Sequence, residues 1–251
     1  MEIWQGVLLF LVGCVSGFLN VMAGGGSLLT VPVMVFMGIP GPVANGTNRI
    51  GILAQNIVSV ITFFKKGFSD FKLSLSLSAM TIPGSIAGAF LGSKLEGVWF
   101  NRTLAIVMIG VMLIMAFDKG YNNTHQSGQK ITRKRLLIGH LLMIGVGLYG
   151  GFIQVGVGFL IMPVLHRVLG LDLVRVNMHK VFIAGGYTIA ALIVFASQIQ
   201  ILWMLGACLG LGNAIGGWFG THVTVSKGEK LIKLVLNTVL VVFIIKLLFF
   251  Y

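Results

Sequence analysis

The sequence predicts an all-α polytopic membrane protein, built as two inverted-topology repeats with broken or re-entrant glycine-rich helices. Three observations carry this. Of 251 residues, 57% are hydrophobic and only 10% charged, whereas a soluble domain devotes about a quarter of its residues to charge. Apolar runs near or above about 18 residues, enough to cross a bilayer, recur along the chain. The two halves carry the same marks in the same order.

The runs are continuous rather than alternating, which argues for helices and against a transmembrane barrel. A helix satisfies its own backbone hydrogen bonds in hydrocarbon. Candidate spans are about 5–23, 27–39, 48–64, 73–95 and 101–117, then 136–153, 157–171, 180–196, 199–222 and 231–250. Met1-Glu2-Ile3-Trp4 has no basic n-region and no cleavage site follows, so the first run reads as a retained helix. Asp118 to Arg135 is polar and ends in a basic cluster. It divides the chain into a first transmembrane repeat (1–117), a linker (118–135) and a second repeat (136–251).

In the first half Gly17-Phe18-Leu19-Asn20 leads into Ala23-Gly24-Gly25-Gly26-Ser27 and Pro32. In the second, Gly150-Gly151-Phe152-Ile153-Gln154 leads into Gly156-Val157-Gly158 and Pro163. Asn45-Gly46-Thr47-Asn48-Arg49 is echoed by Asn177-Met178-His179-Lys180. Gly84, Gly88 and Gly92 match Gly212, Gly216 and Gly220, and each ladder is followed by a polar turn and a final hydrophobic helix. The ladders put small residues on one helix face, for close packing.

Lys and Arg gather in loops, so the net charge of +12 reads as the positive-inside bias rather than a nucleic-acid surface. With an odd number of crossings per half, eleven loop cations fall on one side and three on the other; an even number splits them nine to five. The bias favours odd, which makes the halves inverted copies. It puts the linker in the cytoplasm and both termini outside. Segments 27–39 and 157–171 reach only roughly 20 Å at 1.5 Å per residue. They are expected to re-enter or to form part of a broken helix.

The chemistry is expected where the helices break. Gly24-Gly25-Gly26 costs about 1 kcal/mol of helix stability per glycine. Unwound backbone survives at membrane depth only when covered by protein or lining a cavity. Paired breaks in inverted halves point to a substrate site, and a helix restarting at Ser27 or Phe159 would aim N–H groups at an anion. Asn45, Thr47, Asn48 and Arg49, with Asn177, His179 and Lys180, sit just before long apolar runs, as though at helix mouths. Arg49 and Lys180 are expected to face one ligand from opposite sides; the competing reading has them snorkelling to headgroups. The candidate substrate-binding residues are Asn20, Gly24, Gly25, Gly26, Ser27, Asn45, Thr47, Asn48, Arg49, Gln154, Gly156, Gly158, Asn177, His179 and Lys180.

The six acidic residues lie in loops or at span ends, which disfavours a cation substrate or a carboxylate proton relay. His179 titrates near neutral pH in the ordinary case, or is a neutral wall. No metal cluster, cofactor motif or enzymatic signature is present in the sequence, so neither cofactor nor catalysis is expected. Cys14 and Cys208 lie inside apolar runs as small hydrophobes.

GFLNVMAGGGSLLTVPVMVFMGIPGPVANGTNRIGI (Gly17 to Ile52), GGFIQVGVGFLIMPVL (Gly150 to Leu165) and Asn177-Met178-His179-Lys180 resemble the TauE/SafE sulfite exporter-like permeases over nearly the whole chain. Where those proteins carry more glycines and a small residue before the lysine, this chain has Gln154, Val157 and His179. The resemblance implies a bacterial inner-membrane permease, often an exporter, of sulfite, thiosulfate, sulfonates or related anions. Its partners would be a small anion and the lipid bilayer, with no nucleic acid; a homo-oligomer is left open. The alternatives are a carrier of another small organic acid or sulfur compound, and a non-transporting accessory subunit.

Overall fold

The computed structural model describes residues 2–95, 97–117 and 131–249, with only the backbone given for parts of the last turns of α5 and α9. The linker expected at 118–135 falls largely outside these residues. The described chain is helical: α1 (Ile3–Met22), α2 (Ser27–Phe36), α3 (Gly41–Lys65), α4 (Phe71–Ser93), α5 (Gly97–Phe117), α6 (Arg133–Phe152), α7 (Gly158–Pro163) with a π-helical turn (Val164–Val168), α8 (Leu173–Gln198) and α9 (Trp203–Phe249). Four of them, α1, α4, α6 and α8, are long and apolar enough throughout to cross a membrane. Large apolar side chains such as Leu11, Leu75, Leu141 and Ile193 stand exposed on their outer faces, as lipid contact requires.

The halves match at a spacing of 132 residues. Gly24 and Gly156 are both left-handed (φ +85° and +70°), and so are Gly38 and Gly170 (φ +83° and +77°). At the same spacing α3 and α8 begin at Gly41 and Leu173, and α4 and α9 at Phe71 and Trp203. The sequence expectation fails at the C-terminus. No polar turn separates 199–222 from 231–250, and α9 runs unbroken through both. The first half breaks at Gly97, held at φ +58°; the matched position in the second half is Glu229, and a residue with a β-carbon resists that left-handed conformation.

A second correction concerns the start of α3. Asn45 to Arg49 lie inside the helix, not before it, because Pro40-Gly41-Pro42 starts it a full turn earlier and proline suits the first helical turn. Asn177 to Lys180 likewise lie inside α8, whose N-terminus is capped by Asp172 Oδ1 accepting from the Arg175 amide at 2.9 Å.

The glycine ladders pack backbone on backbone. A β-carbon at Gly84 would meet the Ile144 oxygen at 2.2 Å, at Gly88 the Leu148 oxygen at 2.0 Å, and at Gly92 the Phe152 oxygen at 2.2 Å. Gly212 and Gly216 sit as tightly on Phe10 and Cys14, each 2.0 Å from the carbonyl oxygen, and Gly220 abuts Phe18. The order of these contacts makes α1 parallel to α9 and α4 parallel to α6. Ile50 against Gly206 and Gln55 against Gly217 make α3 parallel to α9. Ser78 against Gly186, and Ala89 beside Phe195, make α4 parallel to α8. Arg49 on Phe195 and Phe63 beside Met178 set α3 against α8. Thus α1, α3 and α9 run towards the end where Ile131 lies, called here the linker end, and α4, α6 and α8 run away from it. Helices α1, α3 and α4 run opposite to their matches α6, α8 and α9, whereas α5 has no separate match, its counterpart being the continuous end of α9.

Helix α2 doubles back: Gly26 packs on Ser16 and Asn20, while Met34 joins Leu9 and Ala44. A substitution at a ladder glycine should therefore separate two helices. Gly216→Val is expected to lower thermal stability in detergent by about 1–3 kcal/mol or more. Gly145→Ala, where nothing lies within 4 Å, should melt like the unaltered protein. Unfolding followed by size exclusion after heating reads the difference.

Candidate functional site

The two helix breaks meet. A β-carbon at Gly24 would lie 2.5 Å from the Gly158 Cα, and one at Gly158 2.2 Å from the Gly24 Cα, so neither position admits another residue without moving the other half. Gly25 lies against the Phe159 ring. Gln154 holds φ +59° beside Gly156, an uncommon conformation for a residue with a side chain.

Breaking α1 and α6 in the interior leaves their last carbonyls without intrahelical donors. Capping amides take part of the set: Ala23 and Gly24 donate to Leu19 and Asn20, and Ile153 donates to Tyr149. Asn45 takes the Phe152 oxygen, and two buried cations take three more. Arg49 Nη1 donates to the Gly150 oxygen at 3.1 Å and Nη2 to the Gly151 oxygen at 2.5 Å, its guanidinium 4.5 Å above the Phe195 ring. Lys180 Nζ donates to the Val21 oxygen at 2.7 Å and to Asn177 Oδ1 at 2.8 Å. Each half thus supplies a cation to the negative helix end of the other. Arg49 is 0% and Lys180 3% exposed, so neither snorkels.

The structure places these cations apart rather than face to face. Along α8, Lys180 and Phe195 are fifteen residues apart, roughly 20 Å at 1.5 Å per residue, and Arg49 sits at Phe195. Only Lys180 lines the central cavity. Its other walls include Asn20, Ser27, Asn56, Gln154, Gly158 and Tyr187. Asn20 Nδ2 donates to Gln55 Oε1 at 2.8 Å, Ser27 Oγ accepts from Asn48 Nδ2 at 3.2 Å, and Gln154 Nε2 donates to Thr188 Oγ1 at 2.8 Å. Asn56 Nδ2, Gln154 Oε1 and the Tyr187 hydroxyl are buried with no partner in hydrogen-bond geometry. Such groups at one small cavity are open to a ligand. Among the described residues no carboxylate lines it.

The remaining predicted residues lie around the cavity rather than on its wall. Thr30 Oγ1 donates to Asn48 Oδ1 at 2.6 Å, tying α2 to α3. Asn45 Nδ2 donates to the Phe152 oxygen at 2.8 Å, and Thr47 Oγ1 accepts from the Leu202 amide at 3.2 Å. His179 Nδ1 lies 2.8 Å from Ser74 Oγ and faces a separate vestibule of about 480 Å³ at the linker end, lined also by Asp70, Leu171, Asp172 and Arg175. Between this vestibule and Lys180 stands an apolar cluster of Val21, Phe63, Met178 and Val181. The central cavity offers about 10 Å³ to the centre of a water molecule, room for roughly one water. This conformer is occluded.

Sequence reasoning missed Ile52, Asn56, Ala184 and Tyr187. A signal was available: 48, 52 and 56, like 180, 184 and 187, repeat at helical spacing, so each stripe continues one face of its helix.

The family model of the sulfite exporter TauE/SafE matches residues 9–247. The chain belongs to the TauE/SafE family. A TauE/SafE relative from Sinorhizobium, described as a probable membrane transporter protein, is 27% identical over 241 residues, covering 96% of this chain and 91% of the relative. One from Haemophilus influenzae with the same description is 26% identical, covering 90% and 88%, and one from Escherichia coli is 27% identical, covering 96% and 89%. No solved structure matches. With its long apolar helices, this TauE/SafE member is a multi-pass membrane transporter.

The two-carbonyl grip of Arg49 gives a stability prediction. Arg49→Ala strands two buried acceptors and should lose about 1–3 kcal/mol for each, seen as a lower melting temperature in detergent. Arg49→Lys, which retains one donor in reach, should lose less.

Proposed function

We propose that this transporter is a secondary carrier of small sulfur-containing anions, such as sulfite, thiosulfate or organosulfonates, and that it exports them across a bacterial inner membrane. The observation that carries the reading is the central cavity itself. It lies where two broken helices meet, holds one cation in Lys180, offers neutral polar groups from Asn56, Gln154 and Tyr187, and has no carboxylate among its described lining residues. One positive charge with neutral polar groups around it favours a small oxoanion. The family description supplies sulfur, since its model is that of a sulfite exporter.

The opposite directions of matched helices support an inverted repeat, and this geometry suits alternating access by rocking one half on the other. The vestibule at the linker end lies above an apolar plug of Val21, Phe63, Met178 and Val181, and opening towards that side would part these apolar contacts rather than hydrogen bonds. The far side is closed by hydrogen bonds and by Arg49. With Lys65, Lys66, Arg133 and Arg135 at the linker end, the positive-inside bias makes that end cytoplasmic. Substrate would load from the cytoplasm, as export requires.

Counterflow of labelled sulfite and thiosulfate in proteoliposomes tests the reading. Lys180→Met should lower the rate about tenfold or more, a loss of about 1.4 kcal/mol per decade, while Lys180→Arg retains part of it. Unchanged flux in Lys180→Met would remove the cavity from the transport path. Competition by carboxylates as strong as by sulfur oxoanions would turn the substrate class to organic acids.

A further inference from the structure

We infer that Tyr187 partitions the transport path into two anion half-sites, one at Lys180 and a second at Arg49, and that its movement passes the anion between them. The inference rests on the carrier reading above and adds a second binding place to it. Two buried cations, neither with a carboxylate among its hydrogen-bond partners in the described residues, lie on opposite sides of the middle of the bundle. Along α8, Tyr187 is seven residues past Lys180 and eight before Phe195, so it stands about 10 Å of helix rise from each. It is 0% exposed.

One face of Tyr187 lines the Lys180 cavity. The other packs on Gly150, where a β-carbon would fall 2.9 Å from ring atoms Cε2 and Cζ and 3.3 Å from the hydroxyl oxygen. The Gly150 oxygen is the acceptor of Arg49 Nη1. The ring therefore stands between the cavity it lines and the peptide that the guanidinium grips. On the far side the polar groups are again incompletely used: Arg49 Nε and Asn45 Oδ1 are buried and unpartnered, as is the Tyr187 hydroxyl. A guanidinium with a free Nε–H is a ready donor to an oxoanion.

The halves are unequal at this point, which marks Tyr187 as more than filler. At the spacing of 132 residues its match is Gln55, whose amide is occupied by Asn20 and Asn56. The Tyr187 hydroxyl lies near the Gln154 and Thr188 side chains without good hydrogen-bond geometry to either. A side chain with two torsions is thus only lightly held at its tip, whereas the Gln55 amide is bonded at both ends. An anion held at Lys180 could draw the Tyr187 hydroxyl towards itself, lifting the ring from Gly150 and uncovering Arg49.

The test is chemical modification of Arg49 by phenylglyoxal in the purified full-length protein, read by peptide mass mapping, with exposed Arg175 as internal reference. Reactivity follows the population of open conformers, so Tyr187→Ala should raise the Arg49 rate about tenfold, while Tyr187→Phe, which keeps the ring, stays near the unaltered rate. Methanesulfonate should then slow Arg49 modification in Tyr187→Ala and leave Arg175 unchanged. The partition falls if Arg49 in Tyr187→Ala reacts as slowly as in the unaltered protein although methanesulfonate still raises the melting temperature of the variant. The second half-site falls if Arg49 is uncovered but methanesulfonate gives it no protection. If methanesulfonate stabilises neither protein against heat, the carrier reading fails. Should Tyr187→Ala not fold, Tyr187→Leu answers the same question, since a branched aliphatic chain fills less of the space over Gly150.

Discussion

The contact between Gly24 and Gly158 is the constraint on which the rest depends. Two helices stop in the middle of an apolar bundle because their glycines must touch across the interface between halves. Stopping them leaves free carbonyls where water does not reach, and such groups are expensive in hydrocarbon. Arg49 and Lys180 answer those carbonyls, each from the opposite half. The cations in turn bring the polar faces of α3 and α8 inward, and the cavity forms between those faces. Break, cap, cation and cavity are successive consequences of one close approach.

The same chain of dependence explains why the two cations differ. Arg49 spends both terminal nitrogens on adjacent carbonyls and stacks on Phe195, so most of its charge is absorbed by the far-side closure. Lys180 reaches a single carbonyl at the end of α1 and Asn177, with its ammonium at the cavity wall. A compact charge whose third donor meets only the Met162 sulfur, at 3.9 Å, suits a ligand that comes and goes, whereas a planar fork bonded at two points suits a latch. The conformer fits this asymmetry: an open vestibule above an apolar plug at the linker end, and hydrogen-bonded closure at the other.

Much of this was legible in the residues. Helical class follows from unbroken apolar runs, and the broken segments from glycines where a helix should not contain them. That Gly24-Gly25-Gly26 and Gly156–Gly158 oppose each other is foreshadowed by the repeat. The separation of Arg49 from Lys180 was not legible, because it depends on α3 and α8 running in opposite directions past one another, a matter of packing between distant segments. Asn56 and Tyr187 were legible only in part: the spacing of 48, 52 and 56 and of 180, 184 and 187 marks one face of each helix, but that the face borders a cavity depends on the neighbouring helices. The unbroken course of α9 turns on a single position, Glu229 in place of a left-handed glycine.

The central claim is that a small anion binds at Lys180 where the broken helices meet. Thermal unfolding of the detergent-solubilised protein in sulfite or methanesulfonate, against gluconate at equal ionic strength, tests it most directly. A ligand at one hundred times its Kd stabilises the form it binds by about 2.7 kcal/mol, a shift of several degrees. The account predicts that shift in the unaltered protein and in Arg49→Lys, and its loss in Lys180→Met. A shift of equal size in Lys180→Met would contradict it.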